Sequence, residues 1–466
     1  MDKVLGKVVG MTVLPEWAQV EGPDAVLDNI QRRAGVTAIA TSPYVMEQVE
    51  DGTGSREPPA DAGAGSVRLL DRHLWGRREI FCRTAPSYAP DRARYRDLRY
   101  QPAEPDALTA REGATVMRFI ETAKSRGLGV YLQVQAAIPP GYRVQFGAPK
   151  GDDVPLLPDG REPGHRLDSN GSLASPHIRA YLKALLGDLA AAYPAIDGFR
   201  IDWPEYPPYT LDSVFLDFSD HALGFARRAG YDIARMQNDA AHAYRHLHGS
   251  LTNADLDRPA ESWLELYPGL GDLFRLKADI VTDFLADIRG ALPDGKALVP
   301  QCFPPPWNLV SGFDFARVAP YCDGIGIKHY TMHWPMMLRF YADALKMANP
   351  GLDGTRLARM LVRLLGTGGP EPGGIADLRY PEPNEDHPVG TEALATTIST
   401  ARAAAGNVPV FGFAHGYGPI EDVARRLQAA WSASPDGMWV NRYGYMSDDK
   451  LDRLGTIVRR AGATAA

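Results

Sequence analysis

The chain has 466 residues, 45% hydrophobic and 23% charged, with 50 basic against 57 acidic side chains and a formal charge of −7. That balance belongs to a folded globular protein with ample material for a core. It excludes a disordered chain and gives no sign of a polyanion-binding surface, so no nucleic-acid partner is expected. Cys82, Cys302 and Cys322 are too few and too scattered for a disulfide framework or a cysteine-rich zinc site, and they fit a reducing compartment. Neither a secretory leader nor an 18-residue apolar run is legible, so the expectation is a cytoplasmic protein without a membrane span.

Short β-branched runs alternate with amphipathic stretches. Val8–Leu14 reads as a strand and Pro23–Arg33 as a helix stopped by Gly35. Val36–Thr41 is the second strand, followed by a Gly/Pro/Arg-rich excursion from about Met46 to Asp106. Its Trp75 and Arg77-Arg78 pair suit a lid, a subunit contact or a solvated loop equally. Thr109-Ala110-Arg111-Glu112 reads as a capping box opening a helix that Gly127 ends. Leu128–Ala136 is the third strand, and Ser175-Pro176 caps the next helix. Ile196–Trp203 is the fourth strand, with a long helical excursion behind it to Leu292. Ala297–Cys302, Asp323–Tyr330, Val408–Ala414 and Gly437–Tyr443 complete eight strands, and a last helix begins at Ser447.

Eight strands with intervening helices predict an α/β fold: one (β/α)8 TIM barrel over residues 1–466, with long βα-loop insertions at about 46–106 and 204–292. An open doubly wound sheet is the competing architecture, but no Gly-rich phosphate loop follows an early strand.

Asp-Gly opens three of these strands, at Asp197-Gly198, Asp323-Gly324 and Asp436-Gly437. The dipeptide reads as a tight turn at the barrel floor and serves as a ruler. Five residues on stand Asp202, Lys328 and Asn441, at one parity and similar height, while Phe199, Ile201, Ile325, Ile327, Met438 and Val440 face the helices. The three polar groups are therefore expected to converge at the carboxyl-terminal mouth, with Arg200 one layer below Asp202. A buried ion-pair network that only braces the barrel would leave the same pattern.

Asp202 is followed by Trp203-Pro204-Glu205-Tyr206, two carboxylates three apart among aromatic rings. Such a group suits sugar chemistry, in which one carboxylate stays ionised and the other holds a proton. Lys328 and Arg200 favour the charged form of Asp202, read as nucleophile or electrostatic stabiliser. Glu205, in a drier loop, is read as general acid/base, with a solvated loop residue as the alternative. Trp203, Tyr330, His329, His415, Asn441, Tyr443 and Glu16 complete the candidate substrate-binding set. His329 has shell parity, whereas Tyr330 has inward parity. His329 and His333 are four apart but lack a carboxylate ligand pattern, so no metal and no cofactor is assigned.

The segment Asp197-Gly198-Phe199-Arg200-Ile201-Asp202-Trp203 resembles the fourth-strand motif of TIM-barrel glycoside hydrolases. Its Gly-Phe-Arg-Ile-Asp core is similar to the α-amylase superfamily segment, a resemblance that implies Asp202 as nucleophile. The stretch is also similar to the chitinase-type motif, departing at Arg200, where an aspartate is usual, and at Pro204. The segments around Ser175–Leu182, Phe218–Ala226 and Leu273–Ala278 resemble a poorly characterised glycosyl-hydrolase-like barrel family. No α-amylase-like acid follows strand five, where Pro300-Gln301-Cys302-Phe303 stands. The resulting expectation is a glycosidase acting on a small glycan or glycoside, with the homo-oligomeric state open. The alternatives are a barrel lyase, aldolase or isomerase using Lys328, and a non-catalytic carbohydrate-binding barrel.

Overall fold

The computed structural model describes residues 7–60, 68–164 and 169–463. Eight parallel strands close into a barrel: β1 (Val8–Thr12), β2 (Ala38–Thr41), β3 (Gly129–Gln135), β4 (Gly198–Asp202), β5 (Ala297–Cys302), β6 (Ile325–His329), β7 (Val410–His415) and β8 (Gly437–Asn441). Each pairs with its neighbours in sequence, and β8 closes on β1. The expected α/β TIM barrel is thus the observed fold.

Side chains alternate as the ruler requires. Ala38, Ala40, Tyr131, Val299, Phe411, Phe413 and Trp439 form the apolar filling of the barrel. Phe199, Ile201, Ile325, Ile327, Met438 and Val440 are buried in the separate core beneath the helices. Large and small residues interlock inside: a Cβ on Gly10 would stand 2.1 Å from the Trp439 ring, and one on Gly326 would stand 2.2 Å from Gln301 Oε1.

All three Asp-Gly aspartates lie at the floor and tie strands together. Asp197 accepts the Val130 N–H at 2.7 Å and pairs with Lys124. Asp323 accepts the Leu298 N–H at 2.9 Å and pairs with Arg289. Asp436 accepts the Val410 N–H at 3.2 Å beside Arg402. Each carboxylate thus holds an amide of the preceding strand and one helix cation, which fixes the strand's start.

Helix starts follow local capping chemistry. Ser175 Oγ accepts the His177 and Ile178 N–H groups at the head of helix Pro176–Ala192. The capping box lies three residues earlier than the sequence suggests. Asp106 is the cap of helix Ala107–Glu112, and Thr109 reaches back to the Asp106 N–H. Thr109 also donates to Pro86 O, so its hydroxyl closes the box from within the first turn. The helix read over Pro23–Arg33 is an α-helix over Pro23–Asp28 continued by a π turn over Asn29–Arg33.

The first excursion is more than a loop. It holds an antiparallel sheet of Tyr44–Val49, Ser55–Glu57 and Ile80–Pro86, with the last strand central. The second carries helices Leu211–Val214, Asp220–Arg228, Ile233–Leu247 and Ala260–Leu266 before the 24-residue helix Pro268–Ala291. That helix returns along Pro176–Ala192 through the Arg179–Asp283 and Lys183–Asp287 pairs. No helix among the described residues is long and apolar enough to cross a membrane.

Candidate functional site

The carboxyl ends of the strands carry two polar sectors. In the first, β4 delivers Asp202 and β6 delivers Lys328, whose Nζ lies 2.6 Å from Asp202 Oδ1. The lysine side chain is 2% exposed and the aspartate 15%, so the pair opens to solvent on the carboxylate side. The ammonium also lies over the rings of Trp203 (5.1 Å) and Phe303 (5.4 Å), a cation–π enclosure. Trp203 has φ +51°, a left-handed conformation that costs a bulky residue about 1 kcal/mol or more. The Trp203 N–H donates to Asp202 Oδ1, and Asn170 Nδ2 donates to Trp203 O, so the strained turn is held from both sides.

Glu205 lies behind this pair and is fully buried. Its Oε1 accepts the Phe303 N–H at 2.7 Å and its Oε2 accepts Ser311 Oγ–H at 2.6 Å. Burial pushes its carboxyl up to about 7, against the opposing pull of Lys328 and these two hydrogen bonds. Ser311 Oγ also lies 3.3 Å from Asn308 O, so the hydroxyl can turn to accept a proton-bearing Glu205.

Tyr330 and His415 flank the opening. Their rings meet edge to face at 5.3 Å, and Tyr330 also touches Phe413 at 5.5 Å. His415 Nδ1 accepts the Tyr417 N–H at 3.0 Å, which places the ring proton of the neutral imidazole on Nε2. Burial and then the guanidinium groups of Arg68, Arg442 and Arg426 hold His415 well below the ordinary histidine range. It is therefore a neutral donor at neutral pH. Asn441 is half-buried and in register with Thr12 and His415, both of inward parity.

The second sector is an ionic cluster under the side sheet. Glu57 pairs with both Arg143 and Arg442, and all three are buried. Glu16 accepts Tyr44 OH at 3.0 Å and stands 4.0 Å from Arg442. Burial raises the Glu16 carboxyl above its ordinary value despite Arg143. The same burial acts on Glu57, but there Arg143 and Arg442 outweigh it and hold the carboxyl low.

Several expected site residues lie elsewhere. Arg200 has no exposure; it donates to Gln301 Oε1 and lies 3.9 Å from the Trp439 ring and 4.3 Å from Phe413. Burial lowers its affinity for the proton to about 9, which leaves it charged at neutral pH in the layer under the mouth. His329 turns to the helix shell, where Nε2 meets Thr397 Oγ1 at 2.8 Å, and burial lowers it to about 3. Its odd position along β6 makes this orientation unavoidable. Tyr443 is buried against Trp17 and bonded to Glu21 and Asn29, because the chain has left the strand and turned outward there. Sequence reading missed Glu57, Arg143 and Tyr44. Only their residue types gave a signal, because their partners lie far away along the chain.

Neither a protein-family model nor a curated protein sequence matches the chain. Solved structures similar to it include glycoside hydrolases. A β-galactosidase from the psychrophilic Marinomonas ef1 aligns at 13% identity and TM-score 0.51, over 98% of this chain and 60% of that one. A β-amylase catalytic domain from Paenibacillus polymyxa aligns at 10% identity and TM-score 0.48, over 98% of each chain. An Ostrinia furnacalis group IV chitinase aligns at 11% identity and TM-score 0.44, over 99% of this chain and 100% of that one. The chain thus spans less than two thirds of the β-galactosidase it resembles, and the likeness is one of fold.

Proposed function

We propose that this barrel hydrolyses a glycosidic bond of a small glycan or glycoside at the Asp202 mouth. The observation that supports this most is the Asp202–Lys328 pair, enclosed on the lysine side and open on the carboxylate side. An ionised carboxylate there is available to stabilise or attack positive charge developing at an anomeric carbon. Trp203 and Tyr330 are partly exposed aromatic residues beside the same pair, and His415 Nε2–H offers a neutral donor for a sugar hydroxyl.

The second carboxylic acid of the reaction is Glu205. A carboxyl ionising near 7 still carries its proton in about half of the molecules at neutral pH, which suits a general acid. Because the side chain has no exposure here, delivery of that proton requires it to leave Ser311 and swing toward the leaving-group oxygen at the mouth. The test is a panel of aryl glycosides assayed with wild type, Asp202→Asn and Glu205→Gln. Turnover by wild type that both variants lose is the expected result. Turnover unchanged in Asp202→Asn overturns the assignment. Borohydride trapping of a substrate adduct on Lys328 would select the amine-nucleophile chemistry instead.

A further inference from the structure

Away from the mouth, two segments that stand out in the sequence come together. Helix Pro176–Ala192 carries His177 in its first turn, and helix Asp220–Arg228 carries His221 in its first turn. Between them the short turn Gly151–Asp153 presents Asp152. One ligand atom from each of Asp152, His177 and His221 lies within 4.8 Å of the other two, and the imidazole rings stand 5.8 Å apart, edge to face.

The contacts of His221 are unusual. Its Nε2 is 3.2 Å from Asp153 Oδ1 and 3.5 Å from Asp152 Oδ2. Yet this buried nitrogen makes no hydrogen bond among the described residues. Two oxygens so close to a nitrogen without hydrogen-bond alignment suit groups arranged around a shared centre. With metal–ligand distances of about 2.0–2.1 Å, the edge of a tetrahedral site is about 3.3 Å, against 3.5 Å between His221 Nε2 and Asp152 Oδ2.

The surroundings divide the two carboxylates by role. Asp153 is fully committed: Oδ1 accepts Ser175 Oγ, and Oδ2 accepts Tyr100 OH at 2.8 Å and Arg99 at 2.7 Å. Asp152 gives Oδ1 to Arg99, leaving Oδ2 toward the histidines. Ser175 and Ser219 cap the two helices, so the backbones of both histidines are fixed. The histidine side chains stay partly exposed and Asp152 is exposed, so side-chain rotation alone can close the ligand atoms from within 4.8 Å to the tetrahedral edge.

We propose that Asp152, His177 and His221 bind a divalent transition metal of the zinc class, with water completing the coordination. Two imidazoles and one carboxylate match that class better than magnesium or calcium, which take oxygen ligands. Arg99 and two helix N-termini add positive charge nearby, so affinity falls short of a buried structural zinc site. The ion would staple the β3 loop to the β4 insertion, two loops rising from adjacent strands at the mouth face.

The test uses the full chain without a histidine tag, stripped with chelator and titrated with Co2+ and then Zn2+. One Co2+ per chain is expected, with a visible d–d band that Zn2+ displaces. His177→Ala and His221→Ala should each weaken binding at least tenfold while melting like wild type in chelator. Should either alanine variant fail to fold, Asp152→Asn, at an exposed position, must show the same loss. A stripped wild type that takes up no ion overturns the proposal. So does binding that survives substitution of either histidine or of Asp152.

Discussion

Two sectors of one barrel mouth handle buried charge in opposite ways. Under the side sheet, Glu57 is clamped by Arg143 and Arg442, and Glu16 and Tyr44 fill the remaining space. Every member of that cluster is buried. Across the mouth, Asp202 meets a single lysine and keeps 15% of its side chain exposed, while Glu205 behind it is packed into a place that favours its neutral form. A closed ion cluster braces loops, and its cost appears when one partner is lost. An open carboxylate beside a protonated one can exchange both charge and proton with a ligand. Charge density alone would mark both sectors as sites; access and proton affinity separate them.

The sharpest way to break this contrast is Asp202→Asn. Its amide keeps the shape and should lower kcat roughly 10³-fold per folded molecule, with some loss of stability because the buried Lys328 loses its carboxylate. The reciprocal change is Glu57→Gln, which leaves two buried guanidinium groups with Glu16 as the remaining carboxyl beside them. It should cost about 3–5 kcal/mol in denaturant unfolding, and turnover per folded molecule should persist. A folded Glu57→Gln protein without turnover would move the ionic cluster into the site and dissolve the distinction.

Glu205→Gln should lower kcat roughly 10²-fold and flatten the fall of activity above pH 7. It also has a signature in stability. The carboxyl ionises near 7 when folded and near 4.5 otherwise, so the folded state holds the proton more tightly. That contribution is complete below pH 4.5 and is lost as pH rises through 7, by about 3 kcal/mol. Unfolding free energies of wild type and variant measured across this window should converge at low pH and separate above it. The smallest effect is expected at the floor. Asp436→Asn removes charge from an amide acceptor beside a partly exposed arginine and should cost about 1 kcal/mol without touching turnover.

The strands and their facing were legible because both depend on local pattern. Counting from the Asp-Gly pairs correctly placed Asp202 and Lys328 at one height, and their contact follows from barrel closure. The same count gives His329 its outward orientation, which parity requires whatever the residue's chemistry. Reading failed where the chain left regular structure. The side sheet lies in a stretch dominated by turn residues, and Glu57 appears there as one more charge. Tyr443 follows the last strand by only two residues, yet it packs beneath Trp17.

From the sequence alone came the eight strands, the floor aspartates and the inward set on the even strands, since alternation along a strand is a short-range property. Tertiary structure decided which charges close on each other and which stay open. Glu57 is 86 residues from Arg143 and 385 from Arg442, and only the path of the intervening loops brings them together. Whether Glu205 lies in water or behind Ser311 and Phe303 was decided in the same way, because desolvation depends on every segment packed around a group rather than on its neighbours in the chain.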